Sequence, residues 1–130
     1  MPLVRVSLRR GKPVAYRKAI LDGIYQAMIS TFNVPNEDRF MVINEHDEPD
    51  FSYSPTYFGI NRSDDLVLIQ LTVSNTRTVE KKQALFRQIA ANLTADPGLR
   101  PEDILINLVE VLPENWSFGH GIAQYVADKG

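Results

Sequence analysis

Pro2, Arg77 and Asp38 are the residues whose types and placement suit chemistry on a small molecule. Removal of Met1, usual before a small second residue, leaves the Pro2 nitrogen as a free secondary amine. The pyrrolidine ring fixes φ, so that nitrogen points in one direction. A free α-amine titrates at roughly pH 8, and burial among apolar groups lowers the value. A neutral amine on a rigid strand is a general base near neutral pH. The same proline equally suits the start of an edge strand with no chemistry at all. Arg77 stands where a strand turns into a helix, a place whose dipole prefers anions to cations. Guanidinium, helix dipole and free backbone N–H groups together make a site for a small carboxylate; alone, the residue is a solvated surface arginine. Asn75, on the same turn, adds a neutral hydrogen bond. Asp38 precedes a predicted strand, where a carboxylate either orients a water or substrate proton or stabilises a turn. Near the end, Trp116-Ser117-Phe118-Gly119-His120-Gly121 and then Tyr125 set aromatics beside two glycines, an apolar wall on adjustable backbone.

The elements that must position these groups occur twice. Adding 65 to positions in the first half returns similar residues. Leu3, Val4, Val6 and Leu8 become Leu68, Ile69, Leu71 and Val73. Arg17, Ile20, Ile24 and Met28 become Lys82, Leu85, Ile89 and Leu93. Asp38 becomes Asp103, with Val67 in the place of Pro2, which favours the turn reading of Asp38. An ungapped offset over so many positions indicates a duplicated supersecondary unit. Each unit, about 2–45 and 66–111 in a single domain of residues 1–130, reads as strand, helix, strand.

In the first unit, Val4, Val6 and Leu8 alternate with Leu3, Arg5 and Ser7, predicting a strand with one buried face. Lys12-Pro13 opens a helix striped by Ile20, Leu21, Ile24, Met28 and Phe32. Asn33 and Pro35 stop it. Residues 39–45 form the second strand. In the second unit, 66–73 is a near-continuous apolar run, Thr78 caps a helix lined by Leu85, Phe86, Ile89 and Leu93, and 104–111 is the closing strand. Right-handed crossovers make parallel pairs, so the fold class is α/β (α+β): a four-stranded sheet with both helices on one face. Leu66, Leu68 and Ile106 cannot all face the helices alongside Val67, Ile69 and Leu105. A sheet apolar on both faces requires a second cover, and association of copies supplies one. The connection 46–65, with Phe51, Tyr53, Tyr57 and Phe58 among Pro and Gly, reads as a hairpin or a subunit contact.

Composition excludes several classes. The chain has 130 residues, a net charge of −2, 44% apolar residues and no cysteine, so disulfide, thiolate and zinc–thiolate chemistry are absent. No membrane-spanning run or signal-peptide pattern occurs, and a cytoplasmic location is expected by default. The mild acidity gives no reason to expect nucleic acid. The two histidines, His46 and His120, lie in different loops without matched acids, read as solvated, and predict no metal site. Neither a phosphate loop nor a nucleophile elbow is present.

An initiating Pro2 on a strand, a doubled strand–helix–strand unit and an arginine at the second strand–helix turn resemble the tautomerase superfamily. Val34-Pro35, Glu37-Asp38-Arg39-Phe40 and Trp116-Ser117-Phe118-Gly119 resemble the malonate semialdehyde decarboxylase group within it. The resemblance implies a tautomerase-like tandem β-α-β fold and a homotrimer with sheets around a central barrel. It implies Pro2 as the catalytic amine, Asp38 as the carboxylate acting with it, and Arg77 as the binder of a substrate carboxylate. Trp116, Phe118 and Tyr125 become the apolar wall, and no metal or organic cofactor is expected. One departure stands out. The group carries Arg-x-Arg at the turn, and this chain has Asn75-Thr76-Arg77. A lost charged hydrogen bond is worth about 1.5–3 kcal/mol. That loss favours cofactor-free keto–enol tautomerisation of small 2-oxo acids, which needs one carboxylate anchor and one base. The alternatives are decarboxylation or hydration of a 3-oxo acid, and a non-catalytic binding member of the fold. An unrelated ferredoxin-like RNA module fits poorly, since the central run 66–73 has no stacking aromatics.

Overall fold

The computed structural model describes residues 2–126; Met1 and 127–130, at the two ends of the predicted first strand and tail, lie outside the described residues. Four strands, β1 (Pro2–Arg9), β2 (Met41–His46), β3 (Val67–Ser74) and β4 (Ile104–Val111), form one sheet in the order β2-β1-β3-β4. Helices α1 (Val14–Phe32) and α2 (Val79–Ala95) connect β1 to β2 and β3 to β4. The pairs β1–β2 and β3–β4 are parallel, as crossover connections demand. The central pair β1–β3 is antiparallel.

The duplication is written into the registers. Val4 lies opposite Met41, and Ile69, its equivalent 65 residues on, lies opposite Ile106, the equivalent of Met41. The ion pairs repeat as well: Arg17 Nε to Glu45 Oε1 at 3.4 Å, and Lys82 Nζ to Glu110 Oε1 at 2.9 Å. Alternation in β1 works as the sequence predicts. Val4, Val6 and Leu8 are buried against the helices with Ile20, Ile24, Met28, Leu85, Ile89 and Leu93. The helices touch closely at Gly23, where an added Cβ would come within 2.7 Å of Leu93 Cδ2. Asn92 Nδ2 donates to the Gly23 carbonyl there at 2.9 Å. Asn33 ends α1 in the left-handed conformation at φ 55°, and the Thr78 side chain accepts from the Lys81 N–H at the start of α2.

Three expectations need correction. The register sets Leu105 beside Leu68 on the face away from the helices, and Ile106 beside Ile69 on the helix side. The open face is therefore mixed, with Leu3, Leu68 and Leu105 around the polar row Arg5, Gln70 and Asn107. The connection 46–65 contains no hairpin; it makes 3₁₀ turns at Glu48–Asp50 and Tyr57–Gly59. Pro49 and Pro55 lack ladder N–H groups, and the Ser54 hydroxyl accepts the Tyr57 N–H at 3.1 Å. His46 is half-buried, its ring 5.9 Å from that of Phe51. Among the described residues no helix is long and apolar enough to cross a membrane.

Candidate functional site

Strand direction assembles the site. Because β1 and β2 run parallel, the loop leading into β2 lies beside the start of β1, where the Val4 N–H donates to the Phe40 carbonyl at 3.0 Å. Because β1 and β3 run antiparallel, Pro2 lies opposite Val73, next to the turn that carries Arg77. Pro2 is buried on the helix side of the sheet end, in phase with Val4.

Asp38 is half-buried in the loop between α1 and β2. Its N–H donates to the Pro35 carbonyl at 3.0 Å. The loop is fastened to α1 by the Tyr25 hydroxyl, which donates to the Asn36 carbonyl. Arg39 adds an ion pair with Asp22 at 2.5 Å and lies over the Tyr25 ring at 4.6 Å. Burial raises the Asp38 carboxyl above its ordinary range, while the positive charges of the amino terminus and of Arg77 draw it back. Arg77 is held by the end of α1. Its Nη2 donates to the Phe32 carbonyl at 3.1 Å, its Nη1 to Thr76 Oγ1 at 3.2 Å, and the guanidinium lies 4.7 Å from the Phe32 ring. A cation at a helix C-terminus meets the favourable end of the dipole. Three of the five guanidinium N–H groups are not used by these two bonds.

Two cavities adjoin these groups. One of about 420 Å³ is lined by Pro35, Asp38, Ser74, Thr76, Arg77, Pro113 and Tyr125. The other, about 250 Å³, is lined by Pro2, Leu3, Phe40, Trp116, Ser117 and Phe118. The first is charged and the second apolar. An aromatic wall links them: Trp116 and Phe118 stack at 5.7 Å, and Phe118 meets Tyr125 edge-on at 5.2 Å. The wall is pinned to the sheet by Trp116 Nε1–H, which donates to Ser74 Oγ at 3.0 Å.

Of the sequence-predicted residues, Pro2, Trp116 and Phe118 line one cavity, and Asp38, Arg77 and Tyr125 the other. Asn75 is exposed on the same turn, its N–H donating to the Val111 carbonyl at 2.9 Å, and lines neither. His120 is exposed, and among the described residues no group of three or more acids and histidines is arranged for a metal ion. Ser74 and Phe40 were not legible as site residues. Phe40 reads as strand, and Ser74 gains its role from Trp116, 42 residues away.

Comparison with known proteins gives consistent results. Two family models, each described as tautomerase enzyme, match residues 38–119 and 2–61. "Probable tautomerase YusQ" of Bacillus subtilis (strain 168) is 39% identical over 126 residues, covering 97% of this chain and 99% of that protein. A crystal structure of malonate semialdehyde decarboxylase, a protein credited with decarboxylase and hydratase activities, superposes with a TM-score of 0.91 at 30% identity, over 98% of each chain. A fused 4-OT symmetric trimer shares the fold, with a TM-score of 0.80 at 19% identity over 98% of this chain and 99% of that one.

Proposed function

The chain belongs to the tautomerase family, and from that membership we propose that it is a cofactor-free enzyme that interconverts the enol and keto forms of small 2-oxo acids through an amine on Pro2. The observation that carries the proposal is geometric: Pro2 pairs with Val73 beside the turn of Arg77, the Val4 N–H meets the Phe40 carbonyl two residues after Asp38, and Asp38 and Arg77 line one cavity. Amine, carboxylate and guanidinium therefore share one end of the sheet, where tautomerisation needs a base, a group to stabilise its protonated form, and a carboxylate anchor.

In this reading Met1 is removed and the neutral Pro2 nitrogen takes the enol hydroxyl proton. It returns that proton to C3 as the C=C bond becomes C–C and the C–O bond becomes C=O. The substrate carboxylate lies against Arg77 and the spare N–H groups of its turn. Asp38 stabilises the ammonium formed in between. The apolar remainder of the substrate rests on Trp116, Phe118 and Tyr125.

A second reading is favoured by the same carboxylate. Asp38 beside the amine stabilises its protonated form, which decarboxylation or hydration of a 3-oxo acid requires. The overall likeness to malonate semialdehyde decarboxylase supports it, and the single arginine of the turn weighs against it. The assembly proposed is a homotrimer that covers the open sheet face, in keeping with the trimer that shares the fold.

The test is the ultraviolet decay of phenylenolpyruvate with wild-type protein and with Pro2→Ala, after mass spectrometry of the amino terminus. The expected result is a loss of at least ~10²-fold in kcat/KM in the variant, within the usual contribution of a positioned acid–base group. Wild-type protein that gives no rate above background removes the tautomerase reading and leaves the second one.

A further inference from the structure

The segment that carries the aromatic wall depends on backbone that side chains disfavour. Gly119, His120 and Gly121 have φ values of 148°, 59° and 67° in succession. The two glycines adopt these at little cost; His120 does not. This reversal brings Phe118 and Tyr125 together, yet Phe118 remains 38% and Tyr125 46% exposed. Burial alone therefore fixes the two rings weakly.

A single side chain closes the reversal. Gln124 Oε1 accepts the Phe118 N–H at 2.9 Å, and Gln124 Nε2 donates to the Gly119 carbonyl at 3.0 Å. The partners are one backbone donor and one backbone acceptor, so the orientation of the amide follows from its chemistry. Glutamate keeps the acceptor and lacks the N–H, and methionine keeps the length and makes neither bond. Gln124 lines neither cavity, so it acts through its neighbours.

We propose that Gln124 is the positioning residue of the aromatic wall: it clamps residues 118–125 so that Phe118 stays stacked on Trp116 and edge-on to Tyr125, and so sets how tightly the apolar part of a substrate is held. Trp116 is anchored separately, to Ser74. Loss of the clamp therefore frees the outer two rings and leaves Pro2, Asp38 and Arg77 in place. The effect on binding rests on the tautomerase reading above; the effect on the wall does not.

Trp116 is the one tryptophan of the chain, so its fluorescence reports the stack directly. Wild-type protein, Gln124→Met and Gln124→Glu are compared by acrylamide quenching of that fluorescence, by far-ultraviolet circular dichroism, and by kinetics on phenylenolpyruvate. The expected result is stronger quenching in both variants with unchanged secondary structure. With two hydrogen bonds lost in Gln124→Met, KM rises about tenfold while kcat stays near wild type. Wild-type quenching in Gln124→Met overturns the clamp, as does a fall in kcat at constant KM. If the wild-type protein has no activity on the enol, the functional reading fails and the quenching still decides the clamp. Should Gln124→Met lose its fold, Gln124→Glu, which keeps one bond, provides the same comparison.

Discussion

Asp38 and Asp103 occupy equivalent places in the two halves and have diverged completely. Asp103 is fully buried and held by three bonds: it accepts the Ser63 N–H and the Ser63 hydroxyl, each at 2.7 Å, and Arg100 Nη1 at 3.4 Å. Lys12, the equivalent of Arg77, is tied to Asp65 at 2.6 Å. That end of the sheet has become an anchor for the connection 46–65. Asp38 has a raised carboxyl instead, because burial outweighs the two nearby cations. A raised value means that stability from this group is full below its ordinary value of 3.8 and is lost as the pH rises through the raised one. Asp38→Asn is therefore expected to raise the melting temperature at neutral pH, with the gain shrinking as the pH approaches 3.8, while turnover falls by ~10²-fold or more. Calorimetry at both pH values checks the sign. A variant less stable than wild type at pH 7 contradicts it. The repeat makes the two aspartates equivalents and the resemblance singles out Asp38, but the burial of Asp103 against Ser63, 40 residues away, was not legible, because only packing brings those segments together.

The elements repeat their sequence logic with one asymmetry. Helix α1 begins at Pro13 with no side-chain cap, whereas α2 is capped by Thr78, which accepts the Lys81 N–H at 3.2 Å. Thr78 follows Arg77 directly, so the cap also fixes the turn that presents the guanidinium. Thr78→Ala is expected to cost about 1 kcal/mol. The loss would be read as a lower urea midpoint at unchanged slope, together with a higher KM for a carboxylate substrate. Stability loss with unaltered KM would separate the cap from the site. The paired bridges Arg17–Glu45 and Lys82–Glu110 are partly exposed and contribute little singly, of order 0–1 kcal/mol. Both helices, the Asn33 stop and the Thr78 cap were legible because such signals act within a few residues. The connection 46–65 was not, because its order comes from long-range bonds such as Ser63 to Asp103 and Arg100 to the Asn61 carbonyl.

At the scale of the molecule, the sheet has one face covered by helices and one face open. On the open face Leu68 is half-buried and Leu105 is 41% exposed. Between the apolar positions runs a polar row across three strands, in which Gln70 Nε2 donates to Asn107 Oδ1 at 3.2 Å. In the proposed trimer this face is the interior. Leu68→Asp would set a charge there in each copy, a burial too costly for association to repay. Sedimentation is expected to show trimers for wild type and monomers for the variant. A variant that remains trimeric places the contact on another face.

The residues by themselves determined the two β-α-β units, the helix-facing side of β1, the helix stops and caps, and a short set of candidate groups. All of these follow from periodicity and local conformational preference, which a linear sequence carries directly. The tertiary structure alone decided what met what. Alternation says which side chains share a face and nothing about which strand lies beside another, or in which sense. The antiparallel joint between β1 and β3 brings Pro2 to Val73 and so to Arg77, and the parallel joint between β1 and β2 brings in the Asp38 loop. The Trp116–Ser74 latch then folds the tail over them. Contacts of that kind span tens of residues, and the packing of the whole chain selects them.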